Sequence, residues 1–197
     1  MFEASDFEIF DEQTLAGRMA LIRDVIDPKF EQFAEIALPI LNQDGQSWFA
    51  HIAKHLRRTT YAPDNTWVAF APNKRGYKMM PHFELGIWAD HIYLYLAVEE
   101  NMKPKQTAPI VSKLTAVSPM IANLPEQFVI SQDHMVNQNV PLSAYEATVS
   151  RFENVKHSEV LIGIKIMRGD AYLGTSAVTE KLISALKTLL PIYEKLK

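Results

Sequence analysis

HFELGIWADHIYLYLAV, residues 82–98, decides the fold class. Phe83, Leu85 and Ile87 alternate with other residue types, and after Ala89-Asp90 the alternation resumes with Ile92, Leu94, Leu96 and Val98. A period of two is that of a strand with one face on a core. Two such runs joined by two residues make an antiparallel hairpin, although Ala-Asp is not the favoured turn pair. Setting Trp88 opposite His91 places Gly86 opposite Tyr93, Glu84 opposite Tyr95 and His82 opposite Ala97. One face is then aliphatic. The other carries His82, Glu84, Trp88, His91, Tyr93 and Tyr95, which can hydrogen-bond or stack.

Upstream of the hairpin, TWVAFA (66–71) reads as a short strand and APNKRG (71–76) as a turn punctuated by Pro72, Asn73 and Gly76. Residues 46–58 read as a helix with Phe49, Ile52, Ala53 and Leu56 as its apolar stripe. The first quarter of the chain is helical in pattern, with Leu15, Met19, Ile22 and Ile26 at helical spacing and a break and restart at Asp27-Pro28. Downstream, residues 104–122 read as a helix and EQFVIS (126–131) as a strand. Residues 141–155 read as a helix opened by a Ser143…Glu146 capping box. EVLIGIKIM (159–167) is the most uniformly apolar strand and is expected inside the sheet. A terminal helix over 176–195 buries Val178, Leu182, Leu186 and Leu189. The expected fold is α+β, a mostly antiparallel sheet backed by helices, with an N-terminal helical segment and a long C-terminal helix. It is expected to form one domain over residues 1–197, a subdivision near 102–105 being the alternative.

Apolar residues make up 48% of the 197-residue chain and charged residues 22%, ordinary values for a globular protein. The sequence has no cysteine, which removes disulfides, thiolate nucleophiles and cysteine metal sites and agrees with a reducing compartment. The N-terminal MFEASDFEIFDE is acidic where a signal peptide is basic and then apolar, and no apolar stretch is long enough to span a bilayer. A cytoplasmic location without membrane contact is the expectation, as a monomer or weak dimer.

The net charge of −3 is unevenly spread. Residues 1–44 hold ten acidic groups against three basic ones, whereas residues 45–82 hold Lys54, Arg57, Arg58, Lys74, Arg75 and Lys78 against Asp64 alone. Such a basic segment either attracts the acidic one or steers an anion. Within it, PNKRGYK sets Lys74, Arg75 and Lys78 around Gly76 and Tyr77, a loop able to turn its N–H groups and cations toward a phosphate or carboxylate. On a helix, HIAKH would put His51 and His55 one turn apart, but the zincin pattern requires glutamate where Ile52 stands, and Lys54 and Arg58 oppose a cation. No metal site is expected there. GxSxG, HExxH, GxGxxG, Walker A and EF-hand patterns are absent, so no cofactor is expected either.

WVAFAPNKRGYKMMPHFELGIW (67–88), with weaker support from FEIFDE and HIYLYLAVEE, resembles the YktB-like family of small bacterial proteins, an uncharacterised family with a domain of unknown function. The resemblance implies an α+β cytosolic protein from low-GC Gram-positive bacteria and carries no activity or catalytic residues.

The reading that these features favour is a small anionic ligand, or a regulatory role, in a basic and aromatic cleft. His51, Arg58, Lys74, Arg75, Tyr77 and Lys78 would meet there with His82, and Trp88 and Tyr95 would form its wall. The alternatives are a hydrolase or transferase with His82 and Glu84 as an acid–base pair and His91 as a further base, a structural or protein-interaction module, and a binder of RNA or single-stranded DNA that stacks bases on Tyr77, Trp88, Tyr93 and Tyr95.

Overall fold

The computed structural model describes residues 1–197, the side chain of Asp44 excepted. Seven strands form one antiparallel sheet: β1 (Phe49–Ile52), β2 (Asn65–Ala71), β3 (His82–Trp88), β4 (His91–Val98), β5 (Phe128–Ser131), β6 (Val140–Pro141) and β7 (Val160–Met167). Their spatial order is β1-β2-β3-β4-β7-β5-β6. The hairpin register follows from alternation: His82 faces Ala97, Glu84 faces Tyr95 and Gly86 faces Tyr93. The apolar strand β7 lies inside the sheet, between β4 and β5.

The helices are α1 (Leu15–Leu21), α2 (Asp27–Leu41), α3 (Thr107–Ala116), α4 (Ser118–Ala122), α5 (Tyr145–Asn154) and α6 (Ser176–Leu196). The aliphatic side of the sheet, including Phe83, Leu85, Leu94, Leu96, Ile162 and Ile164, joins one continuous core with Phe30 and Phe33 of α2 and Leu182, Leu186 and Leu189 of α6. Val178, Leu182, Leu186 and Leu189 are fully buried. Each removes a side chain from water at a gain of roughly 1.5–3 kcal/mol, so the terminal helix is integral to the fold.

Three local expectations are corrected. Residues 46–58 are not a helix. After Gly45, whose φ of +76° ends the preceding helical turn, the chain extends as β1 and pairs with β2. Phe49 and Ile52 stand three apart, a helical spacing that puts them on opposite faces of a strand, and pairing with the otherwise open edge of β2 decides for the strand. Leu56, assigned to the helix's buried stripe, is 85% exposed. Asp27-Pro28 does not interrupt the first helix: a π turn over Ile22–Ile26 joins α1 to α2 and widens the helix just before the residue that has no N–H to give. Finally, Ser143 does not cap α5. Its segment is a 3-10 turn, and Glu146 instead accepts a hydrogen bond from the Ser118 hydroxyl at 3.4 Å.

Candidate functional site

The second face of the sheet collects a different set of side chains. Trp67, Ala69, Tyr93, Tyr95, Ala97 and Leu161 form a small cluster on it, with Tyr77 and Trp88 packed alongside. Loops close over this face: His55 and His134 both meet the Trp67 ring edge-on, with centroids at 5.5 and 5.3 Å. Between the loops a cleft of about 900 Å³ opens, within the size range of small-molecule sites.

Trp67 and Tyr77 form one wall of the cleft, locked together by a hydrogen bond from the indole N–H to the phenol oxygen at 3.0 Å. Lys54, Arg57, Arg58 and Lys78 bring cations to it. The loop carrying the first three follows β1 and includes His55, whose φ of 49° is the one left-handed backbone among the described non-glycine residues. Such a conformation is uncommon outside glycine and marks a loop whose path its surroundings fix. The His55 imidazole is hydrogen-bonded to the Thr66 hydroxyl at 3.1 Å. Burial, reinforced by Arg58, pushes its pKa down to about 4.

The floor is acidic and buried. Glu99 and Glu159 line it with His134, and His82 and Glu84 lie beneath, both wholly inaccessible. His82 Nδ1 donates to the Met80 carbonyl at 2.9 Å, which leaves Nε2 facing Glu84 Oε1 at 3.3 Å and Glu99 Oε1 at 3.5 Å. Glu99 Oε2 is bound by Lys78 Nζ at 3.1 Å and by the Asn101 amide at 2.8 Å. Glu159 Oε2 accepts from both the backbone N–H and Nδ1 of His134, at 2.9 and 2.7 Å. Ligand atoms of His82, Glu84 and Glu99 lie within 4.8 Å of one another, as do those of Glu99, His134 and Glu159. These are the described residues with the donor set for a metal.

The charges of the floor are set by mutual contact. Burial opposes a proton on His82 and on His134, but the adjoining carboxylates outweigh it, and the His134 pKa rises to about 10. Burial also works against the Glu84 carboxylate, yet His134 and His82 hold its pKa below the ordinary value. Glu99 goes the other way, raised by burial and then by Glu84.

Only part of the expected constellation assembles. Arg58, Tyr77 and Lys78 line the cleft. His51, Lys74 and Arg75 do not: His51 Nε2 is hydrogen-bonded to the Asn73 carbonyl at 2.9 Å, and the Arg75 backbone N–H turns back to Asn73 Oδ1 at 2.9 Å. Trp88 is six residues from His82 along β3, roughly 20 Å away at strand rise, and stacks on His91. Tyr95 is buried, stacks on Tyr93 and accepts a hydrogen bond from the Asn139 amide. With Tyr93 and Tyr95 both buried, the strand face offers bases no open stacking platform. His91 pairs with Asp90 at 2.6 Å, far from the floor cluster along the strand. Sequence reading missed Lys54, Arg57, Glu99, His134 and Glu159. Lys54 and Arg57 lay inside the basic segment already singled out. The other three lie just beyond strand ends that only the sheet order of β4, β7 and β5 brings together.

The chain matches the family model described as "Domain of unknown function (DUF1054)" over residues 2–193. It is 64% identical to a UPF0637 protein of Leuconostoc mesenteroides, covering 100% of both chains. It is 43% identical to one of Lactiplantibacillus plantarum, over 98% of this chain and 94% of that one, and 39% identical to one of Enterococcus faecalis, over 98% and 97%. The resemblance read from residues 67–88 is thereby borne out. Among the described residues no helix is long and apolar enough to cross a membrane.

Proposed function

For this chain, which belongs to the DUF1054 family, we propose that the cleft binds a small anionic ligand, for a regulatory or catalytic purpose. The observation that carries the reading is the gathering of four cations at one cavity, Lys54, Arg57, Arg58 and Lys78, while two of its four carboxylates, Glu99 and Glu159, are buried in the floor and Glu100 and Asp133 are part-exposed. Guanidinium groups clasp phosphate or carboxylate with paired hydrogen bonds, and Trp67 and Tyr77 supply an apolar wall for the rest of the ligand. The anion site deduced from sequence thus moves from Lys74 and Arg75 to the loop over residues 54–58. His134, held cationic by its carboxylate neighbours, cannot act as a general base near neutral pH. His82 and Glu84 are too deep to reach a substrate directly. The arrangement therefore favours binding over direct acid–base catalysis by these histidines.

A thermal-shift screen of phosphorylated metabolites, nucleotides and carboxylates tests this on wild type and on the Arg57→Ala/Arg58→Ala variant. A ligand at a hundred times its Kd stabilises by about 2.7 kcal/mol, and that rise should shrink in the variant. Equal shifts in both proteins would place the anion elsewhere.

A further inference from the structure

We propose that His82, Glu84 and Glu99 form a binding site for one divalent transition-metal ion of the zinc class, directly beneath the cleft floor. The site shares its location with the proposed anion cleft but rests on different atoms.

The first argument is geometric. Ligands of a tetrahedral zinc ion at about 2.0–2.1 Å stand about 3.3–3.4 Å apart. His82 Nε2 lies 3.3 Å from Glu84 Oε1 and 3.5 Å from Glu99 Oε1. These distances are long for charge-assisted hydrogen bonds, and they match the edges of a coordination polyhedron. By contrast, His134 Nδ1 and Glu159 Oε2 at 2.7 Å form a hydrogen bond, too close for those two atoms to share an ion. The triad around His82 is therefore the one preferred.

The second argument concerns orientation. A carbonyl can only accept, so the hydrogen bond to Met80 fixes the proton on His82 Nδ1 and aims Nε2 at the two carboxylates. Metal-binding histidines are held in this way, their second nitrogen donating to a carbonyl or carboxylate. Glu99 is prepared similarly: Lys78 and Asn101 occupy Oε2, and Oε1 is left pointing at His82.

The third argument is unmet demand. Glu84 Oε2 and Glu99 Oε1 are buried with no hydrogen-bond partner among the described residues, and both side chains are wholly inaccessible. Unpaired buried carboxylate oxygens are costly. A divalent cation satisfies Glu99 Oε1 directly and Glu84 Oε2 through bidentate coordination of that carboxylate. One imidazole and two carboxylates suit zinc, manganese, iron or cobalt; calcium and magnesium prefer an all-oxygen shell with more ligands. Glu99 also lines the cleft, so the ion lies next to the ligand cavity, where it can attract an anion held by the basic loop.

The test uses untagged full-length protein stripped with chelator and titrated with zinc chloride, with bound metal counted after gel filtration. One zinc per chain is expected. Glu84→Gln and Glu99→Gln, which keep shape and remove charge, should each weaken binding by about a hundredfold or more, beyond the 10- to 100-fold typical of outer-shell changes. Lys74→Ala, outside the cleft, should leave stoichiometry and affinity unchanged, and the metal count needs no cleft ligand, so failure of the anion reading and failure of the metal site are separable. Should a variant not fold, cobalt(II) added to the wild type gives an independent readout: a visible spectrum of low-coordinate cobalt, lost on adding zinc, is expected. No stoichiometric zinc in the wild type, a cobalt spectrum of the free aquo ion, or undiminished zinc affinity in both folded carboxylate variants would overturn the site.

Discussion

Replacing Gly163 by alanine should cost far more than a methyl group normally does. Gly163 lies in β7 opposite Tyr95 of β4. A Cβ built on it would stand 1.8 Å from the Leu94 carbonyl oxygen and 2.7 Å from Tyr95 Cδ1. Carbon and oxygen approach no closer than about 3.3 Å even in favourable contacts, so the strands must part by roughly 1.5 Å. The obstacle is backbone, and no side chain can swing away to relieve it. Overpacking a core costs about 1–3 kcal/mol, and disturbing two ladder hydrogen bonds adds about 1 kcal/mol each. The sum is about 3–5 kcal/mol. For a chain of this size each kcal/mol moves Tm by about 2–4 °C, so Gly163→Ala should lower it by roughly 10 °C. Circular-dichroism melts and urea titrations measure this, with Gly76→Ala as control, since nothing lies within 4 Å of a Cβ there. If the two variants agree within about 1 kcal/mol, the β4–β7 contact is not as described.

Two further outcomes follow from burial. Leu182→Ala in α6 removes a wholly buried side chain from the sheet interface and should cost about 2–5 kcal/mol in urea denaturation; a loss under 1 kcal/mol would mean that the helix does not pack as described. Asp27 lies inside the continuous helical run with its Oδ1 buried and without a partner among the described residues, and burial, then Glu31, raises its pKa to about 6. A carboxyl raised above its unfolded value near 4 stabilises the fold below that pH and loses the contribution as pH rises through 6. Asp27→Asn should therefore be neutral near pH 4 and stabilising at pH 7. Solvent screening of this half-exposed group reduces the effect to about 1 kcal/mol. A constant offset between wild type and variant across that range would contradict the assignment.

The sequence disclosed much of the fold because alternation is a strong local signal where one face of a strand is buried. The 82–98 register could be written down from side-chain period alone, and the buried stripe of α6 from helical spacing. Residues 46–58 read as a helix because Phe49, Ile52, Ala53 and Leu56 have helical spacing, and the deciding contact, the free edge of β2, is remote in sequence. The site was legible in type but not in membership. Arg58, Tyr77 and Lys78 were within reach of a local reading, whereas Lys74 and Arg75 share their charge and loop yet project elsewhere. Glu99, His134 and Glu159 meet only through the sheet order, which no local pattern specifies. The metal candidate arose in the same way: His82 and Glu84 are neighbours on one strand face, and Glu99, at the end of the next strand, supplies the third ligand.

The central claim is that the cleft beside Trp67 receives an anion on Arg57, Arg58, Lys54 or Lys78. Anomalous diffraction from crystals soaked in tungstate, a heavy phosphate mimic, addresses it most directly. The account predicts a tungsten peak inside the cleft, within hydrogen-bonding reach of at least two of those four side chains and on the same side of the sheet as Trp67. A peak confined to the outer loop at Lys74 and Arg75, or no peak in the cleft when its mouth is open to solvent in the crystal, would contradict it.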